Sequence, residues 1–146
     1  MRQKIIFIIL FITSGIGILL SAYSLAAHYD LASTDFCTFS DTLNCDLVNK
    51  SIYSEIVGIP IALLGVIGYS FLFIGSLMKW KNPHDHLLSR LLIFLSLIAL
   101  LFSLYLTSIE AFILQTWCLV CVASQLTIFI FFITSLIEYQ KNRRNI

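Results

Sequence analysis

The stretch EAFILQTWCLVCVASQLTIF, residues 110–129, decides how the whole chain is read. Its centre places Cys118 and Cys121 three residues apart, a spacing usual in soluble redox domains and metal sites. Here the pair opens an apolar run of membrane-span length. The question is what a reactive thiol pair does at the edge of a bilayer.

The rest of the chain supports the membrane reading. Of 146 residues, 59% are hydrophobic and 12% charged, where a soluble domain has roughly a quarter charged. The mean hydropathy is +0.94, and a domain of this size has too little interior to hide so much apolar surface. The net charge of +1 points to no nucleic-acid partner. No linker, low-complexity tract or charged tail marks a second domain, so residues 1–146 read as one integral membrane domain.

Four runs reach the ~20 apolar residues that cross a hydrocarbon core: residues 5–27, 57–78, 87–114 and 117–137. Runs this continuous are helices, because barrel strands alternate over about 10 residues. Basic residues cluster before span one (Arg2, Lys4), between spans two and three (Lys79, Lys81, Arg90) and after span four (Lys141, Arg143, Arg144). The positive-inside rule puts both termini in the cytoplasm and the 28–56 loop outside. The alternative for the start, MRQK plus an apolar run plus SLA as a cleaved signal peptide, is disfavoured by a run too long for an h-region. Gly58, Gly65, Gly68 and Gly75 share roughly a third of the span-two circumference, a packing face, with Pro60 in the first helical turn.

The chain has four cysteines. Cys37 and Cys45 lie in the outer loop; two crossings later, Cys118 and Cys121 begin span four. An even number of crossings returns the chain to the same side, so all four thiols share one face. Three chemistries fit this. Two structural disulfides are possible, though Cys118–Cys121 would close too small a loop to staple anything. A four-cysteine zinc site has one suitable C-x-x-C, but seven residues separate the other pair. A redox relay uses the C-x-x-C as a pair whose second thiol resolves a mixed disulfide on the first. The relay fits best. A helix start stabilises a Cys118 thiolate, and Cys121, one turn deeper, meets a lipid-soluble oxidant such as a quinone.

These residues resemble the vitamin K epoxide reductase family, in its prokaryotic branch, over about residues 5–140. The carrying motifs are CTFSDTLNCDLVNKSIYSEIVGIPIALLG, residues 37–65, and the C-x-x-C opening span four. DsbB, also a four-span quinone-linked thiol oxidant, carries its C-x-x-C in the first outer loop instead. The resemblance implies an all-α transmembrane four-helix bundle around a quinone of ubiquinone or menaquinone type. The outer loop would cap it with a short interfacial helix, for which SIYSEIVG, residues 51–58, is the candidate. It implies a bacterial inner-membrane thiol oxidoreductase. A thioredoxin-fold, DsbA-like protein would reduce Cys37–Cys45, and electrons would pass to Cys118–Cys121 and from Cys121 to quinone. Cys45, nearer the membrane in chain order, is favoured as the link to Cys118. Many prokaryotic members carry a fused thioredoxin-like domain; this chain ends at Ile146, so a separate partner outside the membrane is expected.

Two departures from the vertebrate members stand out. Their tyrosine one turn after the C-x-x-C is Gln125 here, and IPIALLG lacks their asparagine early in span two. Both departures weigh against vitamin K epoxide as substrate. Gln125, on the Cys121 face, is expected to bond either a quinone carbonyl or a neighbouring helix. Ser51 contacts quinone or caps the loop helix, and Trp117 packs over the quinone or anchors the interface, as Trp80 does at the other edge. Glu110 is a candidate for proton uptake. His28 either tunes a thiolate or is solvated, and His84 and His86 belong to a solvated turn.

Overall fold

The computed structural model describes residues 2–144. The chain forms four long helices: α1 (Arg2–His28), α3 (Ile61–Lys81), α4 (His86–Ile109) and α5 (Leu119–Arg144). A short helix, α2 (Cys45–Asn49), lies in the loop between α1 and α3. All four long helices are apolar and long enough to cross a membrane. The architecture is an all-α bundle of four membrane-spanning helices, and the protein is a multi-pass membrane protein.

α1 sits centrally, packed on α3 and α5, and α4 closes on α5. The core along these contacts holds Phe7, Leu10, Tyr69, Leu72, Leu92, Leu100, Ile128 and Phe131. Small hydroxyl residues share it. Ser14, Ser76 and Ser135 are buried and donate to the carbonyls of Leu10, Leu72 and Phe131 at 2.7–2.9 Å. Each hydroxyl is thereby satisfied within its own helix, and its small size lets neighbouring helices approach.

Glycines do not form the single face expected on span two. A Cβ on Gly65 would meet Ser21 of α1, one on Gly75 would meet Leu92 of α4, and Gly68 faces open space. The closest approach involves a glycine the sequence reading passed over: a Cβ on Gly17 would lie 2.2 Å from the Tyr69 ring.

Span two begins later than residue 57. Val57 and Gly58 have positive φ, 54° and 76°, and turn the chain between β3 (Glu55–Ile56) and β4 (Ile59–Pro60). Pro60 precedes the helix rather than lying in its first turn. The 51–58 segment is therefore not the loop helix; it is a 3-10 turn, Ile52–Ser54, followed by this hairpin. The left-handed pair cannot continue a helix. The loop helix is α2, just upstream, where the Asn44 side chain accepts from the Leu47 N–H at 2.9 Å as an N-cap.

At the opposite end of the bundle, Asp85 caps α4 by accepting from Leu88 N–H at 3.1 Å. Lys79, one of the basic residues flanking the turn between spans two and three, is 0% exposed. It donates to the carbonyls of Pro83 and Asp85 and pairs with Glu138 of α5 at 3.3 Å. His84 is exposed in this turn, as expected, and His86 starts α4 half-buried.

Candidate active site

The cysteines meet where the outer loop crosses the start of α5. Cys37 ends a 3-10 turn, Asp35–Cys37, and leads into a hairpin of β1 (Thr38–Ser40) and β2 (Leu43–Asn44). The hairpin returns the chain to Cys45, the first residue of α2, and Cys37 and Cys45 are joined as a disulfide with Cα atoms 5.7 Å apart. The loop is strapped to the residues before α5 through backbone. Trp117 N–H donates to Thr42 O at 2.8 Å, and Asn44 N–H donates to Trp117 O at 3.1 Å. Thr116 Oγ1 adds a bond to Asp41 O at 3.1 Å. This strap brings the Cys45 and Cys118 sulfurs to 3.5 Å.

Cys118 stands one residue before α5, not within its first turn. Its carbonyl accepts the first helical bond, from Val122 N–H, and its sulfur accepts the Cys121 N–H at 3.3 Å. The thiol thus occupies the place of an N-cap oxygen. The Cys118 pKa is lowered: the Cys121 thiol donating to it is the largest cause, burial opposes this, and the Cys121 backbone N–H assists. Cys37, Cys45 and Cys118 are all 0% exposed, while Cys121 is half-buried.

Cys121 lines a cavity of about 710 Å³ whose wall is drawn from α1, the outer loop, α3, α4 and α5. That volume suits a ring-sized ligand. The wall is almost wholly apolar, with Leu20, Leu72, Ile98, Phe102 and Ile128 among its residues. A lipid-soluble ring compound such as a quinone fits such a wall, and the Cys121 thiol forms part of it. Ser51 lines the cavity and gives its hydroxyl proton to Val48 O at 2.9 Å. His28 lines it too, but is not solvated. Its ring bridges Asn49 O at 2.6 Å and Glu55 Oε1 at 3.0 Å, tying α1 to the loop. Gln125 takes the interhelical option: Thr107 of α4 donates to its Oε1, and Thr107 rather than Gln125 reaches the cavity wall. Trp117 is partly exposed and contributes the backbone strap described above.

Glu110 is 4% exposed and also lines the cavity. The helix changes to a wider π turn at Glu110–Leu114, which ends on Gln115 in a left-handed conformation. That turn redirects the chain so that Glu110 Oε2 accepts the Cys118 N–H at 3.2 Å. Among the described residues, Glu110 makes no ion pair. With Cys37 and Cys45 joined, the two remaining thiols fall short of a four-cysteine zinc set.

A bundle of apolar spans with two cysteine pairs at one end defines a membrane protein built around thiol chemistry. The Vitamin K epoxide reductase family model matches residues 8–136, and the chain belongs to that family. Membership makes it a membrane oxidoreductase acting on thiols and disulfides, in a family whose members are generally quinone-dependent and work with thioredoxin-like partners. No curated protein matches the chain.

Proposed function

We propose that this protein is a quinone-dependent thiol oxidase of the prokaryotic branch, set in a bacterial inner membrane with its cysteines on the outer face. The observation that carries this reading is the row of sulfurs. It starts at the Cys37–Cys45 disulfide, continues 3.5 Å away at Cys118, and ends at Cys121 in the cavity wall. Both ends of such a row are needed if an aqueous dithiol is to reduce an acceptor dissolved in lipid.

In this reading a thiolate of a thioredoxin-fold, DsbA-like dithiol attacks Cys37 and releases Cys45 as thiolate. The second thiol of the donor resolves the mixed disulfide, so the donor leaves oxidised and Cys37 keeps a proton. Cys45 attacks Cys118 of an oxidised Cys118–Cys121 pair and frees the Cys121 thiolate. Cys37 then displaces Cys118, restoring Cys37–Cys45 and leaving the second pair as thiols. Each exchange breaks one S–S bond and forms one. The quinone supplies the sink for the two electrons and two protons released when Cys118 and Cys121 close to a disulfide. Glu110, beside Cys118 and in the cavity wall, holds and passes a proton from these thiols. Exposed Phe36 and Phe39 flank Cys37 and offer apolar footing to the donor.

The test uses purified protein, reduced and held without oxygen, to which excess ubiquinone or menaquinone analogue is added. The expected result is quinone loss matched to loss of alkylatable thiol; thiols that stay free refute the reading. Cys121→Ala should abolish quinone reduction. Cys37→Ala should lose at least a hundred-fold with a protein donor but keep activity with a small dithiol, which reaches Cys118–Cys121 directly. Equal activity of the two variants with the small dithiol would refute this division of roles.

A further inference from the structure

We propose that Asn49 orients the electron acceptor by donating its side-chain N–H to a carbonyl oxygen of a 1,4-quinone in the cavity beside Cys121. This rests on the quinone-linked reading above and adds a residue that neither the sequence motifs nor the cysteine geometry single out.

Asn49 is the last residue of α2, 6% exposed, and lines the cavity. Its backbone carbonyl is held by the His28 ring at 2.6 Å. Its Oδ1 accepts the Ser24 hydroxyl at 2.6 Å. Ser24 makes no bond to its own helix, unlike Ser14 or Ser76, so its proton is committed to Asn49. That fixes which end of the amide is engaged. The other end, Nδ2, is buried and has no partner among the described residues. Among the described residues lining the cavity, it is the one buried side-chain polar atom left without one. The nearby hydroxyls of Ser51, Ser54 and Tyr69 are spent on the carbonyls of Val48, Ser51 and Ser124.

A buried amide donor without a partner is costly, and folds seldom retain one unless something accepts from it. The acceptor required is flat, largely apolar and equipped with a hydrogen-bond-accepting oxygen. An oxidised quinone ring has two such carbonyl oxygens and no donor of its own. The same N–H also stabilises the negative charge that builds on that oxygen as electrons arrive. α2 starts at Cys45 and ends at Asn49, so one short helix carries both a relay sulfur and the ligand donor.

The test uses the full chain in lipid nanodiscs with a short-chain ubiquinone and with menadione as probes. Asn49→Leu removes the amide; Asn49→Asp, ionised, keeps an oxygen for Ser24 and puts a charged, acceptor-only oxygen in place of the N–H donor. Affinity is read by quenching of tryptophan fluorescence, and the hydrogen bond by the infrared C=O stretch of carbonyl-labelled quinone. Both variants should bind quinone roughly ten-fold more weakly and lose the lowered C=O stretch seen with wild type. Reduction of Cys37–Cys45 by dithiothreitol, which needs no quinone, should be unchanged. Wild type that binds quinone, with variants that retain both affinity and the lowered stretch, overturns the inference while the parent reading stands. Wild type that binds neither probe overturns both.

Discussion

At Cys118 a single side chain combines two roles. Its sulfur caps α5 and faces Cys45, so the features that lower its pKa also aim it along the proposed relay. The sign follows from the cause: donors directed at the sulfur favour thiolate, which persists to lower pH than in an ordinary cysteine. In the reduced protein, thiolate absorbance belonging to Cys118, taken as wild type minus Cys118→Ser, should appear with an inflection below that of an ordinary cysteine. Cys121→Ala, which removes the largest contribution, should move that inflection upward. Glu110→Gln should move it further down, because a carboxylate near Cys118 opposes its ionisation. An inflection at or above the ordinary value in wild type would rule out the capped-thiolate account. The sequence made Cys118 legible, since a C-x-x-C at a span start already implies a thiol among free N–H groups. Asn49 was not legible, because an orphaned amide exists only once Ser24 and the cavity are in place.

At the scale of elements, helix spacing depends on where side chains are missing. Gly15 and Gly17 lie two residues apart on α1, yet their surroundings differ completely. A Cβ on Gly17 collides with the Tyr69 ring, while a Cβ on Gly15 meets nothing within 4 Å. Tyr69 cannot swing away cheaply, because its hydroxyl bonds Ser124 O at 2.8 Å across the cavity wall. Gly17→Ala should therefore cost about 1–3 kcal/mol by overpacking, and Gly15→Ala should change stability by less than ~0.5 kcal/mol. Thermal unfolding in detergent, with both variants side by side, checks the contrast; similar melting temperatures would refute it. Helical spacing put the span-two glycines on one packing face, where the structure uses separate contacts. Periodicity describes a single helix, and which neighbour each turn meets is decided by the packing of all four. A family resemblance has the same limit: it implied a short loop helix, for which SIYSEIVG was the candidate, and there the left-handed Val57–Gly58 pair makes a hairpin.

At the scale of the whole molecule, the four spans, their order and the gathering of four cysteines at one end were legible from hydropathy and the parity of crossings. What holds the other end together was not. Lys79 counted in sequence as one of several loop cations, but it lies wholly inside, joined to Glu138 on α5, with Ser89 of α4 donating to Glu138 Oε2 at 2.9 Å. Three helices thus converge on one buried ion pair, and neither residue lines the cavity beside Cys121. Removing one partner leaves the other charge buried and uncompensated. Lys79→Met or Glu138→Leu alone should cost about 3–5 kcal/mol. The double variant replaces both charges with apolar bulk and should recover most of that loss, since a buried pair adds little net stability over a well-packed apolar one. With Glu138 replaced, the Ser89 hydroxyl turns its proton to Asp85 O, 3.3 Å away, and is not orphaned. Melting temperatures of the four proteins in one detergent form the cycle. Losses that simply add in the double variant would show that the pair is not coupled. Because the pair lies at the opposite end of the bundle from the sulfur row, the double variant should carry out the proposed quinone reduction at close to the wild-type rate once folded.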